Sequence, residues 1–300
     1  MLILSYFYLL RSGISAFIPF GALSAAQGMV ISMKLQTEFD RLIQAVGGLD
    51  GVVAVGKSGS ARLPEPGEGD IDLFVFCDAV PPTEVRRNAL KALGGNASEC
   101  RVGESGGRFW GVCDFAELAG VELCLMYFTV ADMDRELAEV LAGARPDREA
   151  EYFYPTGRCA SLLSMHVLRD GRGYLAAKQA ALSNYPPELA ETLAAHHLAQ
   201  IDDEEDFERA VARSDVLFYH STLESALDHY LQALFALNRR YFPSRKRTPQ
   251  LIGDFARQPV HCAERLLEVV ALGARADTLA QSYKAWRGLC GELVVLAGRA

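Results

Sequence analysis

The sequence predicts a small mixed α/β domain followed by an all-helical domain, an α/β (α+β) fold class. Two observations lead to this prediction. Short apolar and β-branched runs alternate with helical periods up to about Thr129, whereas only long helical periods follow. Between the two regions, Gly143 and Pro146 break the periodicity. The predicted domains are residues 33–145 and residues 150–300, and residues 1–32 form an extension whose role the sequence does not define.

The first domain is predicted to follow the order helix, two strands, helix, two strands. Gly47 and Gly48 end the first helix, and Pro81 is suited to the first turn of the second. The last two strands are predicted to form a hairpin, because a short loop, 116–120, joins them. The predicted elements are a helix over Leu35–Val46, strands over Val52–Val55 and Asp70–Cys77, a helix over Pro81–Leu93, and strands over Arg108–Phe115 and Val121–Val130.

The second domain is predicted to contain helices alone. Apolar residues recur there at helical spacing, and no later segment shows a strand pattern of comparable quality. The predicted helices are Asp132–Leu141, Thr156–Leu168, Pro187–Gln200, Asp215–Leu237, Pro259–Leu272 and Ala276–Leu296.

Composition excludes several classes of protein. The net charge of −8 argues against a protein that coats nucleic acid, because phosphate neutralisation needs clustered lysine and arginine. The seven cysteines include no C-x-x-C pair, so neither a disulfide framework nor a cysteine zinc site is expected. Reduced thiols are expected, with Cys77 and Cys124 as small core residues. These features indicate a cytoplasmic protein.

The first 32 residues match no targeting template well. A signal peptide would begin with basic residues, and none precedes the apolar run Leu2–Leu10. A membrane anchor is the open alternative, although glycine and proline interrupt the uncharged run Ser12–Met33. We expect translation to begin at Met29 or Met33, and we expect no membrane partner.

One segment carries a pattern typical of phosphate and cation binding. A predicted strand leads into Gly59-Ser60, where a residue without a Cβ lets backbone N–H groups approach a phosphate. On the next strand Asp70 and Asp72 are two residues apart, so both side chains project from one face. Neighbouring carboxylates repel each other unless cations lie between them, and oxygen ligands suit Mg²⁺. The pair is therefore suited to bridging two Mg²⁺ ions in phosphoryl transfer.

This pattern resembles the signature of the polymerase-β-like nucleotidyltransferase superfamily. Gly-Ser, a gap of nine residues and Asp-x-Asp in an apolar strand are similar to its small-molecule and minimal members, over roughly residues 50–130. The helical second half agrees with the antibiotic-type transferases. The resemblance implies that Gly59, Ser60 and Arg62 bind the nucleotide, and that Asp70 and Asp72 are catalytic and ligate both metal ions.

The resemblance also implies a third carboxylate on a later, neighbouring strand. Val121-Glu122-Leu123 matches, because apolar residues flank the acid directly in a predicted strand. Glu122 is therefore the expected third catalytic and metal-binding residue. Asp114, on the preceding strand, is the alternative, and the sequence leaves the choice open.

The implied reaction moves a nucleoside monophosphate from a nucleoside triphosphate to an acceptor hydroxyl and releases pyrophosphate. Two Mg²⁺ ions are the expected cofactors, ATP the expected triphosphate, and a small molecule the favoured acceptor; nucleic acid is not an expected partner. A non-catalytic nucleotidyltransferase-like regulator, such as a partner in a toxin pair, is a second hypothesis. In this family a serine is common before the first aspartate, where this chain has Gly69.

A P-loop ATPase is a third and weaker hypothesis. The run Gly51–Ser58 satisfies the expression G-x-x-x-x-G-K-[ST]. A P-loop is a turn between a strand and a helix, whereas the four central residues here, Val-Val-Ala-Val, favour a strand themselves. The match is therefore interpreted as a coincidence.

The remaining polar clusters favour no single function. His196 and His197 are adjacent, and His220 and His229 are nine residues apart, so neither pair has the spacing of a helical metal site. All six histidines are interpreted as ordinary surface or core residues. Basic residues cluster over 239–247, where they could contact a polyanion or simply end a helix.

Overall fold

The computed structural model describes residues 25–91, 100–107 and 109–298, except for the side chains of residues 25–32 and 151. The chain divides into two compact units. The first takes its described residues from within Met1–Glu136 and Leu162–Ala181, and the second from Leu137–Ser161 and from within Leu182–Ala300. The predicted extension falls largely outside the description, since residues 1–24 are not part of it.

The first unit contains a six-stranded mixed sheet. Its order is β3-β4-β5-β2-β1-β6. Neighbouring strands run antiparallel, except that β2 and β5 run parallel. The strands are β1 (Val52–Lys57), β2 (Ile71–Cys77), β3 (Arg101–Ser105), β4 (Val112–Leu118), β5 (Val121–Thr129) and β6 (His166–Asp170).

The other regular elements of the described structure are helices. Short 3₁₀ turns occur at Ala150–Tyr152 and Ala276–Thr278. The α-helices are α1 (Ala25–Gly47), α2 (Thr83–Lys91), α3 (Val130–Leu141), α4 (Pro155–Leu163), α5 (Tyr174–Leu182), α6 (Pro187–Leu198), α7 (Glu204–Ala212), α8 (Val216–Leu237), α9 (Thr248–Ile252), α10 (Cys262–Gly273) and α11 (Leu279–Ala297).

The main core of the first unit lies between α1 and one face of the sheet. The buried stripe of α1 follows the helical repeat, because its residues are three or four positions apart. Alternate residues of β2 and β5 cover the facing side of the sheet, as the two-residue period of a strand requires. The packed residues are Leu35, Phe39, Leu42, Val46, Ile71, Leu73, Val75, Leu123, Leu125 and Tyr127.

The predicted fold class is confirmed: a mixed α/β sheet region is combined with a helical C-terminal region. Two strands were not predicted. β6 lies where the sequence pattern predicts a single helix over Thr156–Leu168, and this prediction is wrong because α4 ends at Leu163. β6 and β3 are five-residue edge strands with half-exposed patterns, so neither carries a strong apolar period.

The hairpin is also tighter than predicted. β4 continues to Leu118, and only Ala119 and Gly120 connect it to β5. Both residues have positive φ values, 49° and 85°, as the type I′ turn that suits a twisted hairpin requires.

Aromatic residues form the core of the second unit. The Trp286 ring lies 5.3 Å from that of Tyr230, and its N–H donates to the Ile201 carbonyl at 3.2 Å. Phe207 stacks on Tyr283 at 4.8 Å. These contacts join α7, α8 and α11. No helix among the described residues is both long and apolar enough to cross a membrane.

A buried ion pair fastens α2 to the sheet. Arg86 donates to the Asp114 carboxylate, and the side chains are only 2% and 0% exposed. Arg86 also donates to the Pro81 carbonyl at 2.9 Å and stacks 4.8 Å above the Tyr127 ring. The Gly103 N–H donates to the same carboxylate at 2.9 Å. The pair thus links α2, β3, β4 and β5.

We expect Arg86→Met to destabilise the first unit by about 3–5 kcal/mol, because it leaves the Asp114 carboxylate buried without its cation. Denaturant unfolding followed by circular dichroism measures the change. Arg87→Met is the matched control on the same helix. Its partner Glu84 is 76% exposed, so its loss should cost no more than about 1 kcal/mol. Equal unfolding midpoints for the two variants would contradict the structural role given to Arg86.

Candidate functional site

The Gly59-Ser60 turn lies directly after β1. Gly59 has a φ of 77°, a conformation that glycine adopts without strain, and no atom lies within 4 Å of the position its Cβ would take. The Ser58 N–H donates to the Asp72 carbonyl at 3.1 Å, which fixes the start of the turn against β2. The turn is therefore held against β2 at Ser58 and open at Gly59, where a ligand can approach the backbone.

Lys57 supports this turn from within the protein. Its side chain is buried, and its ammonium donates to the Ser60 carbonyl and, at 3.4 Å, to the Ser58 carbonyl. Burial lowers the pKa of Lys57, and the charge of Asp72 opposes that shift. Lys57 thus holds the chain that follows β1 in a tight turn.

The segment Gly51–Ser58 does not have P-loop geometry. Val52–Lys57 form β1 itself, and the next helix of the described chain is α2, which begins at Thr83. No helix N-terminus follows Lys57, although a P-loop needs one there to bind phosphate.

His166 is a neighbour of the turn that the sequence did not indicate. It lies at the start of β6, and its Nε2 is 3.0 Å from the Gly59 carbonyl. β6 pairs with β1 in the register Lys57↔His166. The contact therefore depends on an edge strand that local sequence patterns did not predict.

The register of β2 and β5 places the predicted acidic residues on one face of the sheet. Asp72 pairs with Cys124, and Ile71 pairs with Leu123. Glu122 lies two residues before Cys124 on β5, so it shares the face of Asp72, and Asp70 directly precedes β2 and continues the same alternation. Asp70 and Asp72 are half-buried, and Glu122 is exposed.

Asp70 and Asp72 lie near Cys124 of β5. A hydrogen bond with Cys113 and burial both raise the pKa of the Cys124 thiol, and the charges of Asp72 and Asp70 raise it further. Cys124 and Cys77 are fully buried, as predicted for small core residues.

A fourth carboxylate extends the acidic face. Glu117 of β4 lies directly opposite Glu122 in the hairpin register, and both are exposed. Like charges in directly opposed positions destabilise a sheet. The sequence analysis did not name Glu117, because its place beside Glu122 depends on the two-residue turn of the hairpin.

Asp114 faces the opposite side of the sheet. It pairs with Leu125, which belongs to the core packed against α1. Burial raises the pKa of Asp114, whereas the Gly103 N–H and Arg86 lower it. Its carboxylate therefore belongs to the buried ion pair. Of the two candidates for the third carboxylate, Glu122 is the one that shares a face with Asp70 and Asp72.

Arg62 makes ion pairs within the loop that joins β1 to β2. Its guanidinium lies 2.5 Å from Glu68 and 3.7 Å from Glu65, and the Arg62 N–H donates to the Ser60 hydroxyl at 3.2 Å. The backbone N–H of Glu65 and the Arg62 side chain lower the pKa of Glu68. Arg62 is thus held near the turn on the solvent side.

Aromatic rings close the other end of the acidic face. Phe74 and Phe76 continue the face of Asp72 along β2, and Phe128 of β5 stacks on both, at 5.6 and 6.3 Å. Tyr174 of α5 tilts against Phe76 at 5.4 Å. The polar surface is therefore confined to the end of the sheet near the Gly59 turn.

One residue of the predicted basic cluster has an internal role in the second unit. Arg245 donates to Asp228 at 2.5 Å, and Arg148 lies 2.8 Å from the same carboxylate. The Tyr154 hydroxyl donates to Asp228 at 2.6 Å. The network ties the segment after α8 back to α8.

The acidic residues do not form a closed metal-binding cluster. Among the described residues, the only group of three that brings one ligand atom of each within 4.8 Å of the others is Asp147, His197 and His229. The carboxylates of Asp70, Asp72 and Glu122 share a face but are spread more widely.

Comparison with known proteins gives limited matches. A family model described as a domain of unknown function (DUF4037) matches residues 154–247. No match was found among curated proteins. Among solved structures, the chain is similar to a nucleotidyltransferase-like protein from Exiguobacterium sibiricum, with 9% sequence identity and a TM-score of 0.47. The alignment covers 90% of this chain and 77% of that one.

Proposed function

We propose that the chain is a metal-dependent nucleotidyltransferase. It would transfer a nucleoside monophosphate from a nucleoside triphosphate, ATP in our proposal, to a hydroxyl acceptor and release pyrophosphate. The observation that supports the proposal is the β2–β5 register, from which strand alternation puts Asp72 and Glu122 on one face, with Asp70 directly before β2. That face lies beside a glycine turn whose outer side is open.

The acidic face fits Mg²⁺. Three carboxylates, with Glu117 beside them, supply the hard oxygen donors that Mg²⁺ prefers, and the ion retains several waters when few protein ligands hold it. Asp70, Asp72 and Glu122 are the residues that would hold two such ions. When bound, these ions neutralise charge on the triphosphate and lower the pKa of the acceptor hydroxyl.

The turn supplies the phosphate-binding groups. Gly59 presents backbone without a side chain, and the exposed Ser60 hydroxyl can donate to a phosphate oxygen while it accepts from Arg62. Lys57 keeps this geometry by holding the Ser60 carbonyl on the inner side. Binding and alignment of the triphosphate contribute to catalysis because they hold the reacting atoms in line.

The acceptor in this proposal is a small molecule. The net charge of −8 and the acidic face disfavour a polyanionic acceptor such as nucleic acid. We place the reaction in the cytoplasm, where nucleoside triphosphates are kept.

The first test is catalysis. Wild-type protein is incubated with each labelled triphosphate, Mg²⁺ and a panel of hydroxyl compounds, and pyrophosphate release is measured. Asp72→Asn and Glu122→Gln should lower turnover by about 10³, because each removes charge stabilisation from the site. Asp78→Asn is the control: it lies just beyond β2 and pairs with Arg172 at 2.8 Å, so turnover should be unchanged.

Two results would contradict this reading. Nucleotide binding without pyrophosphate release under any condition would favour the non-catalytic regulator. Full activity of Glu122→Gln would show that Glu122 is not the third carboxylate.

The second test separates the turn from a P-loop. Ser60→Ala should weaken triphosphate binding by about tenfold, the loss of one hydrogen bond to a charged group, with an unchanged unfolding midpoint, because Ser60 is exposed. Lys57→Met should instead lower the unfolding midpoint, because the hydrogen bonds that the buried Lys57 donates to the Ser58 and Ser60 carbonyls are lost. If Lys57→Met abolished nucleotide binding in a stable protein while Ser60→Ala had no effect, the assignment of the turn would be wrong.

The third test is the response to Mg²⁺. A ligand that binds only the folded state stabilises it by about 2.7 kcal/mol at a concentration of 100 times Kd, so Mg²⁺ should raise the wild-type unfolding midpoint. Asp72→Asn should lose this response. Without Mg²⁺ the variant should still fold, because Asp72 is only half-buried and asparagine keeps the size of its side chain. An equal Mg²⁺ response in both proteins would place the ion elsewhere.

A further inference from the structure

Two histidines and an aspartate meet in the second unit. His197 lies on α6, His229 on α8, and Asp147 in the segment between α3 and α4. The Nδ1 atoms of the two histidines are 2.9 Å apart. The Asp147 carboxylate completes the group, in which the ligand atoms all lie within 4.8 Å of one another.

We propose that His197, His229 and Asp147 bind a divalent transition-metal ion of the zinc class. Imidazole nitrogen and carboxylate oxygen are the donors that zinc accepts, and a set of two histidines and one acidic residue is a known zinc ligand set. Three protein ligands leave one tetrahedral position for water or another ligand. The site is independent of the carboxylate face proposed to hold Mg²⁺.

The separation of the two nitrogens is close to what a metal ion requires. Two nitrogens at about 2.0–2.1 Å from a tetrahedral zinc ion are about 3.3 Å apart. The 2.9 Å in the structure is a few tenths of an ångström shorter, a difference that small rotations of the two rings can supply. A direct hydrogen bond between the imidazoles also fits this distance, and the zinc titration described below distinguishes it from a metal site.

The surrounding residues orient the ligands. His196 Nε2 lies 2.7 Å from Oδ1 of Asp147, and this contact holds the carboxylate in place. Nε2 of His197 is buried and has no hydrogen-bond partner among the described residues, so this ring is held by packing and by its Nδ1 contact with His229.

Both histidines are withdrawn from solvent to different degrees: His197 is 0% exposed and His229 is half-buried. Neutral imidazole is the species that ligates a metal ion.

An ion has a route to the cluster. His229 lines an open pocket of about 560 Å³ in the second unit. Four acidic residues line the same pocket and concentrate cations in it. They are Asp202, Asp203, Glu204 and Asp206.

The test measures metal binding by the full chain, purified without a histidine tag. Zinc is titrated by calorimetry, and Co²⁺ is used as a spectroscopic substitute, since tetrahedral Co²⁺ gives intense visible bands. We expect one equivalent of Zn²⁺ to bind, and a rise in the unfolding midpoint with the metal. His229→Gln and Asp147→Asn should each weaken zinc binding by at least tenfold and change the Co²⁺ spectrum.

Two control variants make the test specific. His220 lies on the same helix as His229, α8, but outside the cluster. The His220→Gln variant should therefore bind zinc like wild type. Asp72→Asn should also retain zinc, which separates this site from the Mg²⁺ face. Because Asp147 is exposed, Asp147→Asn decides the matter if His229→Gln fails to fold.

The proposal is overturned if wild type binds no zinc below millimolar concentration, or if Asp147→Asn and His229→Gln bind it as tightly as wild type does. In either case the imidazole contact is a hydrogen bond alone. Loss of zinc binding from Asp72→Asn, with full retention in Asp147→Asn, would place the ion on the carboxylate face.

Discussion

The parallel pairing of β2 and β5 is the constraint on which the first unit depends. It is the one parallel contact in a sheet that is otherwise antiparallel among its described strands. A single register sets both faces at once: Ile71 and Leu123 pack toward α1, whereas Asp72 and Glu122 face away. A shift by one residue would bury the acids and expose the core, so the hydrophobic packing holds the acidic face in place.

The alternation of side chains between the two faces of a strand explains why carboxylates only a few residues apart have different roles. Asp114 and Glu117 both lie on β4, three positions apart, and therefore point to opposite faces. Asp114 enters the interior, where an unpaired charge is costly, and Arg86 and the Gly103 N–H compensate it. Glu117 stays exposed beside Glu122, where water and ions can offset the repulsion.

The sequence predicted what short-range patterns determine. The apolar runs of β1, β2 and β5 and the glycine at position 59 are local signals, and the structure has a strand or a turn at each. The face shared by Asp70 and Asp72 follows from strand periodicity, but the place of Glu122 needed the β2–β5 register. β6, and with it the His166 contact, was missed because an edge strand of five residues carries little periodic signal.

Tertiary contacts bring together histidines that the sequence analysis compared only along the chain. Spacing along one helix excludes a metal site, and that argument is correct for His196 with His197 and for His220 with His229. It does not apply to His197 with His229, because packing of α6 against α8 brings residues from two helices together. Local spacing can identify a chelating pair on one element, whereas a pair across two elements depends on a packing register that no short pattern encodes.

The two proposed sites differ in their donor atoms, so each site favours a different ion. Carboxylate oxygens on an exposed sheet face suit Mg²⁺, which keeps several of its waters and needs only one or two carboxylates from the protein. Imidazole nitrogens suit zinc, for which Mg²⁺ competes poorly because it binds nitrogen weakly. Burial strengthens the distinction, since His197 has no contact with solvent while Glu122 is exposed. Mg²⁺ therefore displaces zinc poorly from the histidine site, and that site can be titrated with zinc in the presence of excess Mg²⁺.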